Sequence, residues 1–153
     1  MAHRRKRSVT AATASQKQPD ALPQPGPPID WKDSCVGAVV AAIAIAVYAS
    51  SAARDIILGD TPELMTAAIR LGVVHPPGYP VFTLLGHLFS LLPFGPLPFR
   101  VNLLAVVCDA GAVALVYFTA LRLTGNRLAS TCAALVLAFT PLFWSWSLVA
   151  EVF

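Results

Sequence analysis

The sequence is short of charge. Asp, Glu, Lys and Arg make up 12% of its 153 residues, about half the share of a water-soluble domain. The charge present is also uneven. Residues 1–34 hold six basic and three acidic side chains, which accounts for the whole formal net charge of +3, while residues 35–153 hold five of each. Ten charges are too few to cover a soluble globule of that size, which excludes a typical cytosolic enzyme. The 56% of hydrophobic residues excludes a wholly disordered chain. A basic face is lacking as well. The sequence pI near 9.0 comes from one short cluster, Arg4-Arg5-Lys6-Arg7, which argues against a nucleic-acid partner. Cysteine is scarce. Cys35, Cys108 and Cys132 lie far apart in apolar runs, with no CxxC and no Cys/His ligand spacing. They read as small buried residues rather than a zinc site.

What is present is apolar length. Mean hydropathy is +0.66, and three runs are long enough to cross a bilayer core of roughly 30 Å. These are Cys35 to Ala53, Val101 to Leu121 and Leu128 to Leu148. The fold class expected is therefore an all-α integral membrane protein with the bilayer as its first partner. Residues 1–34, with a Pro- and Gln-rich stretch, read as a disordered cytoplasmic tail. Ser51-Ala52-Ala53 resembles a signal-peptidase site, but the polar region ahead of the first run is too long for a signal peptide, so an uncleaved span is expected. Pro141 predicts a kink in the third span.

Between the first two spans lie two shorter helical patterns. Thr61 to Leu71 has Leu64, Ala67, Ala68 and Leu71 on one face, with Gly72 as a stop signal. Val81 to Leu92 is apolar but too short to span upright, so it predicts an interfacial or re-entrant helix ended by Pro93, Pro96 and Pro98. His75-Pro76-Pro77-Gly78-Tyr79-Pro80 joins the two as a rigid, non-helical passage. Basic residues precede the first span and, as Arg122 and Arg127, flank the turn after the second. The positive-inside rule then puts the N-terminus in the cytoplasm and loop 54–100 outside, in periplasm or lumen.

That orientation gathers Asp55, Asp60, Glu63 and Glu151 on the outer side, where acids can act as a base or hold a divalent cation. A structural role competes. Asp60-Thr61-Pro62-Glu63 is the pattern of a capping box at the start of the amphipathic helix; a capped carboxylate is also a positioned one. Glu151 reads equally as a polar residue where a span leaves the membrane. His75, beside Tyr79, is a candidate phosphate or sugar contact or a polar turn residue, and His87 suits a buried hydrogen-bond partner. Asp109, mid-span, is a minor functional candidate.

Gly59-Asp60-Thr61-Pro62-Glu63-Leu64, followed by Leu71-Gly72-Val73-Val74-His75-Pro76-Pro77-Gly78-Tyr79-Pro80, resembles the signature of a multi-pass membrane family. Its bacterial members are of unknown function, and its animal relative is a transmembrane protein O-mannosyltransferase acting on receptor ectodomains. Leu91-Leu92-Pro93-Phe94-Gly95, Phe99-Arg100-Val101-Asn102-Leu103-Leu104 and Ala150-Glu151-Val152-Phe153 extend the match over residues 54–153. The family more often shows Ser-Gly where this chain has Thr61-Pro62, and Tyr where it has Phe153. The family is similar to the GT-C glycosyltransferases, which take a sugar from a polyprenyl-phosphate donor. The resemblance implies a GT-C-like, mannosyl-type transfer to an extracytoplasmic protein or glycan acceptor. It implies Asp60 as catalytic base, Glu63 in support of it or of the acceptor, Glu151 for a metal or the donor phosphate, and Arg100 for that phosphate, with an interface anchor as its alternative; His75 and Tyr79 join them as substrate- or donor-binding candidates from the residue reading. It also leaves a divalent cation, Mg or Mn, with Asp60 and Glu151 as candidate ligands. Three spans cannot enclose a lipid-linked donor, so the chain reads as an N-terminal fragment, inactive alone. The alternatives are a non-enzymatic membrane subunit and a transporter fragment, the latter motivated by Asp109.

Overall fold

The computed structural model describes residues 28–57 and 59–151. Its regular elements are six helices: α1 (Trp31–Ser51), α2 (Thr61–Arg70), α3 (Pro80–Ser90), α4 (Leu97–Thr124), α5 (Arg127–Ala138) and α6 (Pro141–Trp146), with no strand among the described residues. Helix α1 begins inside the stretch expected as tail. Asp30 and Asp33 close a capping box, each carboxylate accepting the other's backbone N–H at 2.8 Å, and this anchors the helix start four residues before the apolar run. Residues 1–27 of the expected tail lie outside the described residues.

Helices α1 and α4 are long and apolar enough to cross a membrane, with 21 and 28 residues. Helix α4 starts earlier than its apolar run implies. Pro98, expected to close the preceding segment, sits in the first turn of α4, where a missing N–H costs nothing. The helix stops at Gly125, whose φ of 64° gives the left-handed cap. The third apolar run is not one span-length helix. It divides into α5 and α6, of 12 and 6 residues, so the kink expected at Pro141 is a full break.

A core of Val40, Ala44 and Tyr48 from α1, Val106, Ala110, Val113 and Tyr117 from α4, and Ala134 and Ala138 from α5 holds the long helices together. The alanines let the backbones approach closely. Gly37 does the same: a Cβ there would lie 2.5 Å from the Phe118 ring. The three cysteines, expected buried, are all exposed at the protein surface. They lie on α1, α4 and α5, outside the core.

Helices α2 and α3 form a smaller layer over the start of α4. Met65, Ala68 and Phe82 pack with Val101 and Ala150, while Leu64, Ala67 and Val74 form a neighbouring cluster. The amphipathic helix expected from Thr61 is α2, and it ends through Leu71, in a left-handed conformation, with Gly72 N–H bonded to Ala67 O at 2.9 Å. The short apolar helix expected from Val81 is α3. Fully buried Asn102 brackets three segments. Its side chain donates to Ala53 O and accepts from Ala150 N–H, both at 2.9 Å, while Ala53 N–H bonds Leu148 O at 3.1 Å. Ala53 and Leu148–Ala150 are thereby fixed against the first turns of α4.

Candidate active site

Asp60 precedes the first turn of α2, but it does not cap the helix with its side chain. Its backbone is already helical, with φ −80° and ψ −11°, whereas a side-chain N-cap needs an extended conformation. The capping box read from the sequence is therefore absent here. Both carboxylates are turned to other work.

Glu63 reaches across to the His-Pro-Pro-Gly passage. Its Oε1 accepts the backbone N–H of His75 at 2.8 Å, and its Oε2 lies 2.9 Å from His75 Nδ1. An ionised carboxylate only accepts, so Nδ1 carries a proton and Nε2 is left facing out. Nε2 lies 4.0 Å from Asp60 Oδ2. The hydrogen bond from the His75 ring holds the Glu63 carboxyl below its ordinary value, with the bond from the backbone N–H adding to it. The same contact raises the His75 imidazolium above its ordinary 6.5, partial burial opposing it and Asp60 adding a smaller Coulombic pull. Tyr79 sets its ring edge-on to His75 at 5.7 Å. Its left-handed backbone, φ 41°, turns the chain into α3.

Glu151 joins from the far end of the chain. Its Oε1 accepts a hydrogen bond from Thr61 Oγ1 at 2.7 Å, which places it beside the Asp60 loop. Asp60, Glu63, His75, Tyr79 and Glu151 thus come together around the start of α2 and the turn before α3. Arg100 is engaged elsewhere. Its Nε donates to Gly95 O at 2.9 Å and Phe94 O at 3.2 Å, and its Nη1 to Ser90 O at 3.3 Å, so it holds the turn after α3. His87 finds the partner expected of it, with Nδ1 3.0 Å from Ala68 O. Asp55 is exposed in the loop after α1. Asp109 lies with Glu151 in the lining of a mostly apolar groove of about 710 Å³, which Phe82, Leu104, Phe143 and Trp146 also line.

Sequence reasoning missed Thr61 and Asn102. Thr61 stands between two acids whose spacing already accounts for a helix start, and Asn102 stands in an apolar span. An amide at the mouth of such a span is itself a signal, because it needs a partner. No group of three or more His, Cys, Asp and Glu side chains able to hold a metal ion occurs among the described residues. Glu63 and His75 are occupied with each other, and Asp60 and Glu151 alone do not make a cation cage.

Three comparisons bear on this arrangement. A family model described as the "Protein O-mannosyl-transferase TMEM260 N-terminal domain" matches residues 60–153, the part that carries the acids and the His75 turn. "Protein O-mannosyl-transferase TMEM260" of Mus musculus is 44% identical over 126 residues, which is 80% of this chain and 18% of the relative. "Protein O-mannosyl-transferase tmem260" of Dictyostelium discoideum is 31% identical over 110 residues, 70% of this chain and 13% of the relative. This chain thus spans less than a fifth of the length of either. No solved structure matches. With a family model that matches residues 60–153, well over half of the chain, the chain belongs to the family described as the protein O-mannosyl-transferase TMEM260 N-terminal domain.

Proposed function

We propose that this chain supplies the acid-bearing part of a membrane glycosyltransferase. The enzyme would move a mannosyl group from a polyprenyl-phosphate donor to a hydroxyl of an extracytoplasmic protein or glycan acceptor. The observation that carries the reading is the state of Asp60. Its carboxylate is free of helix capping, more than half exposed, and 4.0 Å from an imidazole locked by Glu63. A base needs access to the proton it takes and a fixed neighbourhood, and Asp60 has both. The names of the relatives support mannose as the sugar and protein as the acceptor.

In the proposed reaction the acceptor hydroxyl gives its proton to Asp60 as its oxygen bonds the anomeric carbon. The bond from that carbon to the donor phosphate oxygen breaks, the sugar inverts, and polyprenyl phosphate leaves with the electron pair. Glu63 acts through His75, whose Nε2 is presented to the donor side, and Tyr79 walls the ring. The groove beside Glu151 is apolar enough to lie along a lipid chain. A divalent cation on Asp60 and Glu151 stays outside the scheme, because the donor set does not fit one, and no step passes through it.

The test uses the full-length protein in membranes with labelled polyprenyl-phosphate mannose. Asp60→Asn keeps size and shape and removes the base, so transfer should fall by about 10²–10⁴-fold at unchanged expression. Undiminished transfer by that variant would remove Asp60 from the chemistry and overturn the reading.

A further inference from the structure

Thr61 is fully buried at the first position of α2. A buried hydroxyl requires a partner, and the helix start does not supply one. The partner is Glu151 Oε1, at 2.7 Å, from a segment ninety residues away. The surroundings converge on that oxygen. Gly59 has φ +121°, and a Cβ there would stand 3.1 Å from the same Oε1, so any side chain at 59 would crowd it. The backbone behind Glu151 is pinned by Ala150 N–H on Asn102 Oδ1. The main chain is fixed by Asn102, one side is cleared by Gly59, and the Thr61 hydroxyl holds Oε1 of the carboxylate.

From this geometry we infer that Thr61 is a positioning residue: its hydroxyl holds the Glu151 carboxylate against the Asp60 loop and so ties the segment after α6 to the start of α2. The role in turnover rests on the transfer reading above, whereas the contact itself does not. Hydrogen bonds to ionised groups are the stronger kind. Thr61 also lies next to Asp60 in sequence, so loosening Glu151 loosens the frame in which Asp60 sits.

The test is a double-mutant cycle in the full-length protein, read in two ways. Thr61→Val keeps the volume and removes the donor, Thr61→Ser keeps the donor, and Glu151→Ala removes the acceptor. The first readout is the thermal unfolding midpoint of the detergent-solubilised protein, which needs no turnover. Thr61→Val and Glu151→Ala should each lower it, Thr61→Ser should stay near wild type, and the double variant should fall no further than the lower single variant. The second readout is mannose transfer from labelled polyprenyl-phosphate mannose. Thr61→Val should lower kcat by about tenfold with little change in donor KM, a loss expected of misplacement rather than lost binding. Thr61→Ser should retain wild-type kcat, and Thr61→Val should add nothing in the Glu151→Ala background. Additive losses in the unfolding cycle overturn the contact. A wild-type kcat in Thr61→Val, an equal loss in Thr61→Ser, or no transfer by the wild-type protein overturns the role. The transfer reading fails by a different sign: Asp60→Asn transfers normally while the unfolding cycle stays coupled.

Discussion

At the scale of single residues, the pair Glu63–His75 sets the electrostatics of the site. The two shifts have opposite signs and one cause. The lowered Glu63 carboxyl gives stability that is fully present above its ordinary 4.5 and is lost as pH falls through the depressed value. The raised His75 imidazolium gives stability that is fully present below its ordinary 6.5 and is lost as pH rises through the raised value. The contact is therefore fully developed between 4.5 and 6.5 and fades on either side. Reaction of His75 with diethylpyrocarbonate, which needs the neutral ring, reports this directly. Its pH midpoint should lie above 6.5 in the wild type and move back toward it in Glu63→Gln. An unmoved midpoint would dissociate the two residues. The acids of this site were legible in the sequence, because Asp60 and Glu63 stand three apart in a polar stretch between apolar runs. Their division of labour was not. The spacing fits a capping box, and only the turn at Pro76–Gly78, which returns His75 over α2, shows that Glu63 serves a ring twelve residues on. Arg100 shows the same limit: the family resemblance puts it on the donor side, and three backbone carbonyls hold it.

At the scale of elements, the break between α5 and α6 is where the sequence reading and the fold part furthest. Pro141 has no N–H, so the carbonyls behind it need other donors. All three find one. Val136 O takes the Thr140 hydroxyl at 2.6 Å, Leu137 O takes the Thr140 N–H at 3.1 Å, and Ala138 O takes the Tyr48 hydroxyl from α1 at 2.8 Å. A kink leaves the helix continuous; here a side chain from another helix completes the terminus, and no local pattern announces it. Tyr48 is fully buried, so Tyr48→Phe strands a carbonyl inside the bundle and should cost about 1–3 kcal/mol. The measure is denaturant unfolding of the detergent-solubilised protein. A variant as stable as wild type would show that water or another donor already serves Ala138. The long helices and α2 were legible because their signals are strong and local: uninterrupted apolar length for α1 and α4, a one-sided apolar face and a following glycine for α2. The start of α1 was less so. Asp30 and Asp33 read as tail charges, yet they cap the helix and also bind Arg127, through its Nη2 at 2.8 Å and its Nε at 2.5 Å.

At the scale of the whole molecule, the polar contacts sort to two ends. The Arg127 clasp joins the start of α1 to the start of α5, while Ala53, Asn102 and Ala150 meet at the other end, next to the Asp60 loop and Glu151. Between the ends the long helices expose apolar side chains: Val39, Ile43 and Leu115 are 58%, 42% and 68% exposed. Such surfaces are costly in water and ordinary in lipid or under further membrane helices. An even charge count between the ends would leave orientation open, but the clasp end also carries Arg122, and the basic cluster of residues 4–7 precedes it in sequence. In the orientation that the proposed function requires, and that the positive-inside rule favours, that end faces the cytoplasm and the acid-bearing end the opposite side. Single cysteines in a cysteine-free full-length protein test the assignment. Val73 and Leu123 are exposed, at 87% and 81%, near the acid-bearing end and the clasp end respectively. Val73→Cys should react with a membrane-impermeant maleimide applied from the extracytoplasmic face of sealed membranes, and Leu123→Cys only after the membrane is opened. The reverse pattern would put Asp60 in the cytoplasm, out of reach of an extracytoplasmic acceptor. Labelling of both from one side would mean that α4 does not cross the bilayer.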